Sequence, residues 1–205
     1  SGEGVGRLLA GPYQDPLTDS ELPRDSSSVP ADGPLPEFYE PVESPTTNIL
    51  HPAVQINPCL KYPRLESKQP IGTVKDYPYV LCTSSIAEHW CAGSVTRNVP
   101  WLNEMYPETI IEIPQSLADK HGINNGDRVK VWSARGEVEV KAMVTHRMQT
   151  MLINNKQVEI VWMPYNWGYK GLSTAASTNL LTIDAGDPNT WIQETKACLV
   201  NLSKA

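Results

Sequence analysis

A single phenylalanine, four histidines and four cysteines in 205 residues leave few chemistries open. No apolar run approaches the roughly 18 residues needed to cross a bilayer, so no direct membrane span is expected. The opening Ser1-Gly2-Glu3-Gly4 has neither the basic flank nor the apolar stretch of a signal peptide. With no initiating Met, the chain is expected to be a processed product, a cloned segment or part of something longer. The cysteines (Cys59, Cys82, Cys91, Cys198) form no C-x-x-C pair, and the nearest two are nine positions apart. That spacing fits neither a zinc ribbon nor an iron-sulfur ligand run, and all four are expected to be small buried apolar residues. The histidines are scattered at 51, 89, 121 and 146, without metal-ligand spacing. No Walker or dinucleotide-type glycine loop is present, so ordinary ATP or NAD binding has no support. No nucleophile elbow surrounds any serine, which argues against independent hydrolase chemistry. Seventeen Lys and Arg against 23 Asp and Glu give a net charge of −6, the wrong sign for a nucleic-acid partner.

What the chain does have is unevenly distributed. Twelve of its eighteen prolines fall in residues 1–70, with ten acidic and five basic residues. Proline removes a backbone donor and biases its predecessor toward extended geometry, so stretches such as Pro30-Ala31-Asp32-Gly33-Pro34-Leu35-Pro36 read as neither helix nor central strand. Residues 1–70 are therefore expected to form an irregular arm, with Phe38, Tyr39, Ile49, Leu50, Val54 and Ile56 as apolar anchors for another surface.

Residues 71–205 carry the strand signals. Short runs at Tyr79 to Thr83, Thr109 to Ile113, Arg128 to Ser133, Val158 to Met163 and Ala197 to Leu202 read as strands. Glu137 to Thr145 alternates, with Val138, Val140, Ala142 and Val144 on one face and Glu137, Glu139 and Lys141 on the other. After Pro114, the segment Gln115 to His121 reads as a short helix that Gly122 stops. The chain is expected to be mainly β with short helices, a small closed or nearly closed barrel with α insertions preceded by the arm. Its two long loops, 84–108 and 164–196, are where function is expected.

The first loop opens Thr83-Ser84-Ser85-Ile86-Ala87-Glu88-His89-Trp90 directly after a strand. Hydroxyls and fresh backbone donors suit phosphate oxygens, and Trp offers a stacking face. The second loop, Met163-Pro164-Tyr165-Asn166-Trp167-Gly168-Tyr169, places amide and aromatic groups after another strand, followed by Ser177-Thr178-Asn179-Leu180-Leu181-Thr182. An amide side chain presents a donor and an acceptor side by side, which complements the edge of a fused pyrimidine ring.

Taken with Glu112-Ile113-Pro114, Ser116-Leu117-Ala118, Gly122 to Val129 and the closing Asp187-Pro188, these segments resemble the C-terminal domain of molybdopterin oxidoreductases, the dimethyl sulfoxide reductase superfamily, over about residues 77–205. Within that superfamily, Ala31 to Pro41, His51-Pro52 and Trp167-Gly168-Tyr169-Lys170-Gly171 look like the catalytic subunit of periplasm-facing formate dehydrogenases. The resemblance implies a six-stranded double-psi barrel that clamps one half of a bis-molybdopterin guanine dinucleotide holding molybdenum or tungsten. By the family pattern, Thr83, Ser84, Ser85, His89 and Trp90 would lie along the pterin and diphosphate. Tyr165, Asn166, Trp167, Asn179 and Lys196 would form the other wall, with Lys196 supplying positive charge. Relatives often carry Arg where this chain has Ser85 and His where it has Asn166, so a bidentate phosphate donor and a titratable group are both lost here.

The metal ligand, the neighbouring catalytic side chains and the cysteine-rich iron-sulfur segment of such enzymes would lie in upstream regions outside these 205 residues. The implied partners are those regions of the catalytic subunit, an iron-sulfur electron-transfer subunit and a cytochrome. This chain is expected to hold cofactor and to be inactive alone. The alternatives are the same barrel in a nitrate or polysulfide reductase, against which the Ala31 to Pro41 stretch argues, and a stand-alone, non-catalytic pterin-binding module.

Overall fold

The computed structural model describes residues 38–57, 69–168, 170–186 and 193–205, and the chain divides into two compact units. Residues Ala31 to Glu37, Cys59, Tyr169 and Asp187-Pro188 from the sequence reading lie outside the described residues. In the first unit, residues 47–57 form no regular helix or strand. They are organised around buried Asn48, whose amide donates to the carbonyls of Phe38 (3.2 Å) and Val54 (3.0 Å) while its oxygen accepts from the His51 amide (2.8 Å). Side-chain hydrogen bonding of this kind supplies the backbone with partners that a proline-rich segment cannot find in a ladder.

The second unit comprises Pro41–Thr46, Gln69–Ile183 and Thr195–Ala205. Its strands are β1 (Tyr79–Ser84), β2 (Ile110–Pro114), β3 (Arg128–Trp132), β4 (Glu137–Thr145), β5 (Met151–Ile153), β6 (Lys156–Val158), β7 (Ile160–Pro164) and β8 (Ala197–Lys204), and its helices are α1 (Pro100–Met105) and α2 (Gln115–His121). Six strands close a barrel in the order β1-β7-β2-β4-β3-β8, while β5 and β6 form a separate hairpin. β1 runs parallel to β7 and β2 parallel to β4, and the remaining barrel pairings are antiparallel. These directions gather the exits of β1, β7 and β3 and the entries of β2, β4 and β8 at one end of the barrel.

Alternation explains the interior. Along β4 the buried positions are Val138, Val140 and Ala142, with Glu137, Glu139 and Lys141 exposed and Val144 partly buried against the core. Leu81, Ile111, Ile113, Val129, Val131, Val161, Met163, Val200 and Leu202 fill the rest, each worth roughly 1.5–3 kcal/mol of burial. Helix α2 ends on Gly122, whose left-handed φ of 62° lets the Ile123 amide reach the Ala118 carbonyl at 2.9 Å.

One ionic pair is sealed inside this unit. The Glu43 carboxylate accepts from Arg135 Nη1 (2.5 Å) and Nη2 (2.9 Å), from the Leu199 amide (2.8 Å) and from the Gly72 amide. Burial alone would push the Arg135 pKa down, but the Glu43 partner outweighs it and the net shift is upward. Glu43 comes from the proline-rich part of the sequence, so the Pro41–Thr46 strap is fastened to the barrel by a charge-assisted fork.

Several boundaries differ from those read in the sequence. The run Val158 to Met163 is two strands: β6 ends at Val158, Glu159 interrupts, and β7 extends to Pro164. The hairpin β5/β6 turns on Asn154 and Asn155, both at positive φ (49° and 59°), which matches the type I′ turn preference of asparagine. The first long loop contains α1, entered through Pro100 at its first turn. The expectation that all the cysteines are buried is corrected. Cys198 is buried, Cys82 is half-buried and Cys91 is exposed. Cys82 alternates with core residue Leu81 and buried Thr83 and so faces outward, and Cys91 sits at a left-handed bend (φ 51°) outside any ladder.

Candidate functional site

The two long loops leave the barrel side by side. Parallel pairing sets Thr83 opposite Met163 and Ser84 opposite Pro164, and the first residue after β7 continues the ladder, the Tyr165 amide donating to the Ser84 carbonyl (3.2 Å). The entry of β8 lies on the other side of β1. The Thr83 amide donates to the Lys196 carbonyl (3.0 Å), and its hydroxyl to the Thr195 carbonyl (2.5 Å). Asn179 belongs to a single 3-10 turn, Thr178–Leu180. Buried Thr178 fixes that turn by donating its hydroxyl to the Pro164 carbonyl (2.6 Å). Thr83, Ser84, Tyr165, Asn166, Asn179 and Lys196 are thus gathered at one barrel end by short, identifiable bonds.

Asn166 holds the two loops together. It is fully buried, its Oδ1 accepts from the Ile86 amide (3.0 Å), and its Nδ2 donates to the carbonyls of Cys91 (2.6 Å) and His89 (3.3 Å). Every polar atom of the amide is therefore engaged within the chain. His89 is likewise buried, with Nδ1 3.2 Å from the Thr96 hydroxyl and Nε2 3.4 Å from the Tyr106 carbonyl. Its ring packs edge-on against Trp167 (centroids 5.1 Å), which lies against Tyr106 on its other contact (5.3 Å). Burial, reinforced by Glu112 and Glu88, pushes the Tyr106 phenol well above its ordinary pKa, so the hydroxyl stays protonated.

The site residues named from sequence thus fall into two sets. Thr83, His89, Asn166 and Trp167 are buried and shape the loops. Ser85, Trp90, Asn179 and Lys196 are exposed, and Ser84 and Tyr165 are half-buried. Ser84 Oγ accepts from Trp162 Nε1 (2.8 Å), and Lys196 Nζ sits 4.7 Å above the Tyr165 ring centroid, a cation–π contact that holds the ammonium over this end. Trp90 presents an indole that is 70% exposed. Its amide is tied to the Thr96 hydroxyl (3.1 Å).

Sequence reasoning did not single out Thr96 and Thr178, although both lie in the quoted loops. Their signal was a hydroxyl residue at the start of a short 3-10 turn; their partners were set by the strand register and were not readable locally. The exposed groups at this end are hydroxyl, amide, ammonium and indole. They form a donor-rich set that suits a ligand rich in oxygen and ring-nitrogen acceptors. The site therefore fits a phosphate-linked pterin dinucleotide.

Comparison with known proteins gives the family of this barrel. The model of the molydopterin dinucleotide binding domain matches residues 79–199, which run from the start of β1 into β8. The chain is 46% identical over 85% of its length to formate dehydrogenase 2 subunit alpha (cytochrome c-553) of Nitratidesulfovibrio vulgaris, and 41% identical over 85% to the formate dehydrogenase subunit alpha of Megalodesulfovibrio gigas. It is 39% identical over 99% to the nitrate-inducible formate dehydrogenase major subunit of Escherichia coli. It spans only 17–18% of the length of these relatives. Among solved structures, acetylene hydratase from Pelobacter acetylenicus shares the fold with a TM-score of 0.52 at 14% identity, over 84% of this chain and 22% of that one. With its barrel, its paired loop exits and this match over most of the second unit, the chain belongs to the molydopterin dinucleotide binding domain family.

Proposed function

We propose that this chain is the cofactor-gripping domain of a formate dehydrogenase catalytic subunit. It would hold one half of a bis-molybdopterin guanine dinucleotide in an enzyme that oxidises formate to carbon dioxide or runs the reverse reaction. The observation that carries the reading is the bridging of the two strand exits by buried Asn166, which sets the exposed donors of both loops at one end of the barrel. The names of the relatives, all formate dehydrogenase subunits, support the substrate.

In this reading the exposed residues make the direct contacts. Lys196 supplies positive charge and Ser85 a hydroxyl for phosphate oxygens. Asn179 offers an amide edge to a heterocycle, and Trp90 offers a stacking face. Thr83, His89, Asn166 and Trp167 position the backbone from which those groups project, and Tyr165 holds Lys196 over the site. The metal of the bound group, molybdenum or tungsten, would take the two electrons from formate. The protein's share is a preorganised wall that orients that centre and excludes water. The remainder of the catalytic subunit, an iron-sulfur subunit and a cytochrome complete the proposed electron path, and the periplasm is the proposed location.

The test is metal analysis and formate-dependent dye reduction on the natively isolated complex, alongside the 205-residue chain alone. The complex should contain molybdenum or tungsten and turn over formate, and the chain alone should not. Formate turnover by the isolated chain, or a complex free of both metals, would overturn the proposal. Asn179→Ala in the complex should lower metal content per polypeptide; unchanged content would remove Asn179 from the wall.

A further inference from the structure

Four arginines lie among the described residues, and three of them face a glutamate: Arg128 meets Glu108 and Glu139, Arg135 meets Glu43, and Arg147 meets Glu112. Arg97 has no acidic partner. Its residue exposure is 8%, and Nε and Nη1 are sealed from solvent without any acceptor. Yet the residue is firmly placed: its amide donates to the Gly93 carbonyl (2.9 Å), and its own carbonyl accepts from Asn103 Nδ2 (2.7 Å).

Three glycines lie beside the guanidinium. A Cβ on Gly93 would stand 3.2 Å from Nε and 2.6 Å from the Asn166 carbonyl oxygen, one on Gly171 would stand 3.2 Å from Nη1, and one on Gly168 would stand 3.9 Å from Nη2. Backbone from both long loops thus lies against the cation. Arginine cannot shed its proton to escape burial, and a buried charge left unpaired is costly. Two sealed nitrogens, Nε and Nη1, with no acceptor among the described residues call for an anion from outside them. A planar fork of N–H groups matches the oxygens of a phosphate, and Arg97 sits between Trp90 and α1 on the loop that leaves β1.

We infer that Arg97 is a further cofactor-binding residue, the counter-cation for a phosphate of the guanine dinucleotide. The inference rests on the function proposed above and adds a residue to it. The test compares wild-type, Arg97→Gln and Arg97→Lys forms of the whole natively assembled enzyme, each made with cofactor and also in cells that cannot make the pterin. Two quantities are read: guanine nucleotide and metal per polypeptide in the loaded enzyme, and the thermal midpoint of the cofactor-free enzyme. Loss of a charge-assisted hydrogen bond weakens binding by roughly 10- to 100-fold. Arg97→Gln should therefore lose most of its nucleotide and metal, and Arg97→Lys, which keeps the charge without the fork, should lose less. The cofactor-free Arg97→Gln enzyme should melt no lower than cofactor-free wild type, because only an unpaired cation has been removed. Full nucleotide and metal in Arg97→Gln would overturn the inference. So would a lower melting point without cofactor, which would assign Arg97 to a carboxylate of the protein instead. Wild-type enzyme lacking both nucleotide and metal would sink the underlying reading rather than the role of Arg97 within it.

Discussion

Replacing Asn166 by alanine should separate the two loops that the barrel brings together. The side chain is fully buried and makes bonds of 3.0, 2.6 and 3.3 Å to the Ile86 amide and to the Cys91 and His89 carbonyls. Each buried partner left without a bond costs about 1–3 kcal/mol. Ile86 is half-buried and Cys91 exposed, so water can replace part of the loss, and the net cost is about 2–4 kcal/mol. For a domain of this size that lowers the melting temperature by about 4–16 °C. Amide hydrogen exchange at Ile86 should accelerate with it. Asn166→Asp sharpens the test. It keeps an acceptor for Ile86 but turns a carboxylate oxygen toward two carbonyls, so its folded-state pKa must rise above the unfolded value. The folded state then binds more protons, and the variant should regain stability as pH falls through the carboxylate range, whereas Asn166→Ala shows no such recovery. Melting within about 1 °C of wild type for Asn166→Ala, with unchanged exchange at Ile86, would refute the bracing role.

Glu43→Gln should cost about 3–5 kcal/mol in denaturant unfolding because Arg135 is left buried and unpaired. The double change Glu43→Leu with Arg135→Met should cost less than the sum of the single changes. Ile111→Ala, at a fully buried core position, should cost about 2–5 kcal/mol by the same assay. His121 has its pKa lowered by burial and then by Lys120, and its Nε2 lies 2.7 Å from the Tyr79 hydroxyl. A histidine with a depressed folded pKa contributes stability that is present above its ordinary value of 6.5 and is lost as pH falls below it. Thermal melts against pH should therefore show a decline below that value that His121→Gln flattens, and parallel profiles would exclude the contribution.

Much of the barrel is legible in the chain because its signals are local. The alternation of β4 can be read one residue at a time, and Gly122 announces the end of α2. The resemblance supplied the closed six-stranded form, and the observed pairing agrees with it. What stayed hidden depends on distant partners. Sequence shows that the Asn166 amide can donate and accept. Only the register of β1 against β7 shows that Ile86, His89 and Cys91 use it up. Glu43 looks like one more acid in a proline-rich stretch until Arg135, 92 residues away, closes on it. Arg97 is unremarkable in Thr96-Arg97-Asn98, and its isolation becomes visible once Gly93, Gly168 and Gly171 are seen around it. The misread strand at 158–163 is different in kind, since an apolar run carries no mark of the break at Glu159.

The central claim is that one end of this barrel grips a pterin dinucleotide. It is tested most directly by an experimental structure of the intact, natively isolated enzyme. The account predicts a guanine dinucleotide against the exposed groups of Ser85, Trp90, Asn179 and Lys196, with a phosphate near Arg97. A cofactor bound elsewhere in the enzyme, with this barrel end covered by polypeptide alone, would contradict it.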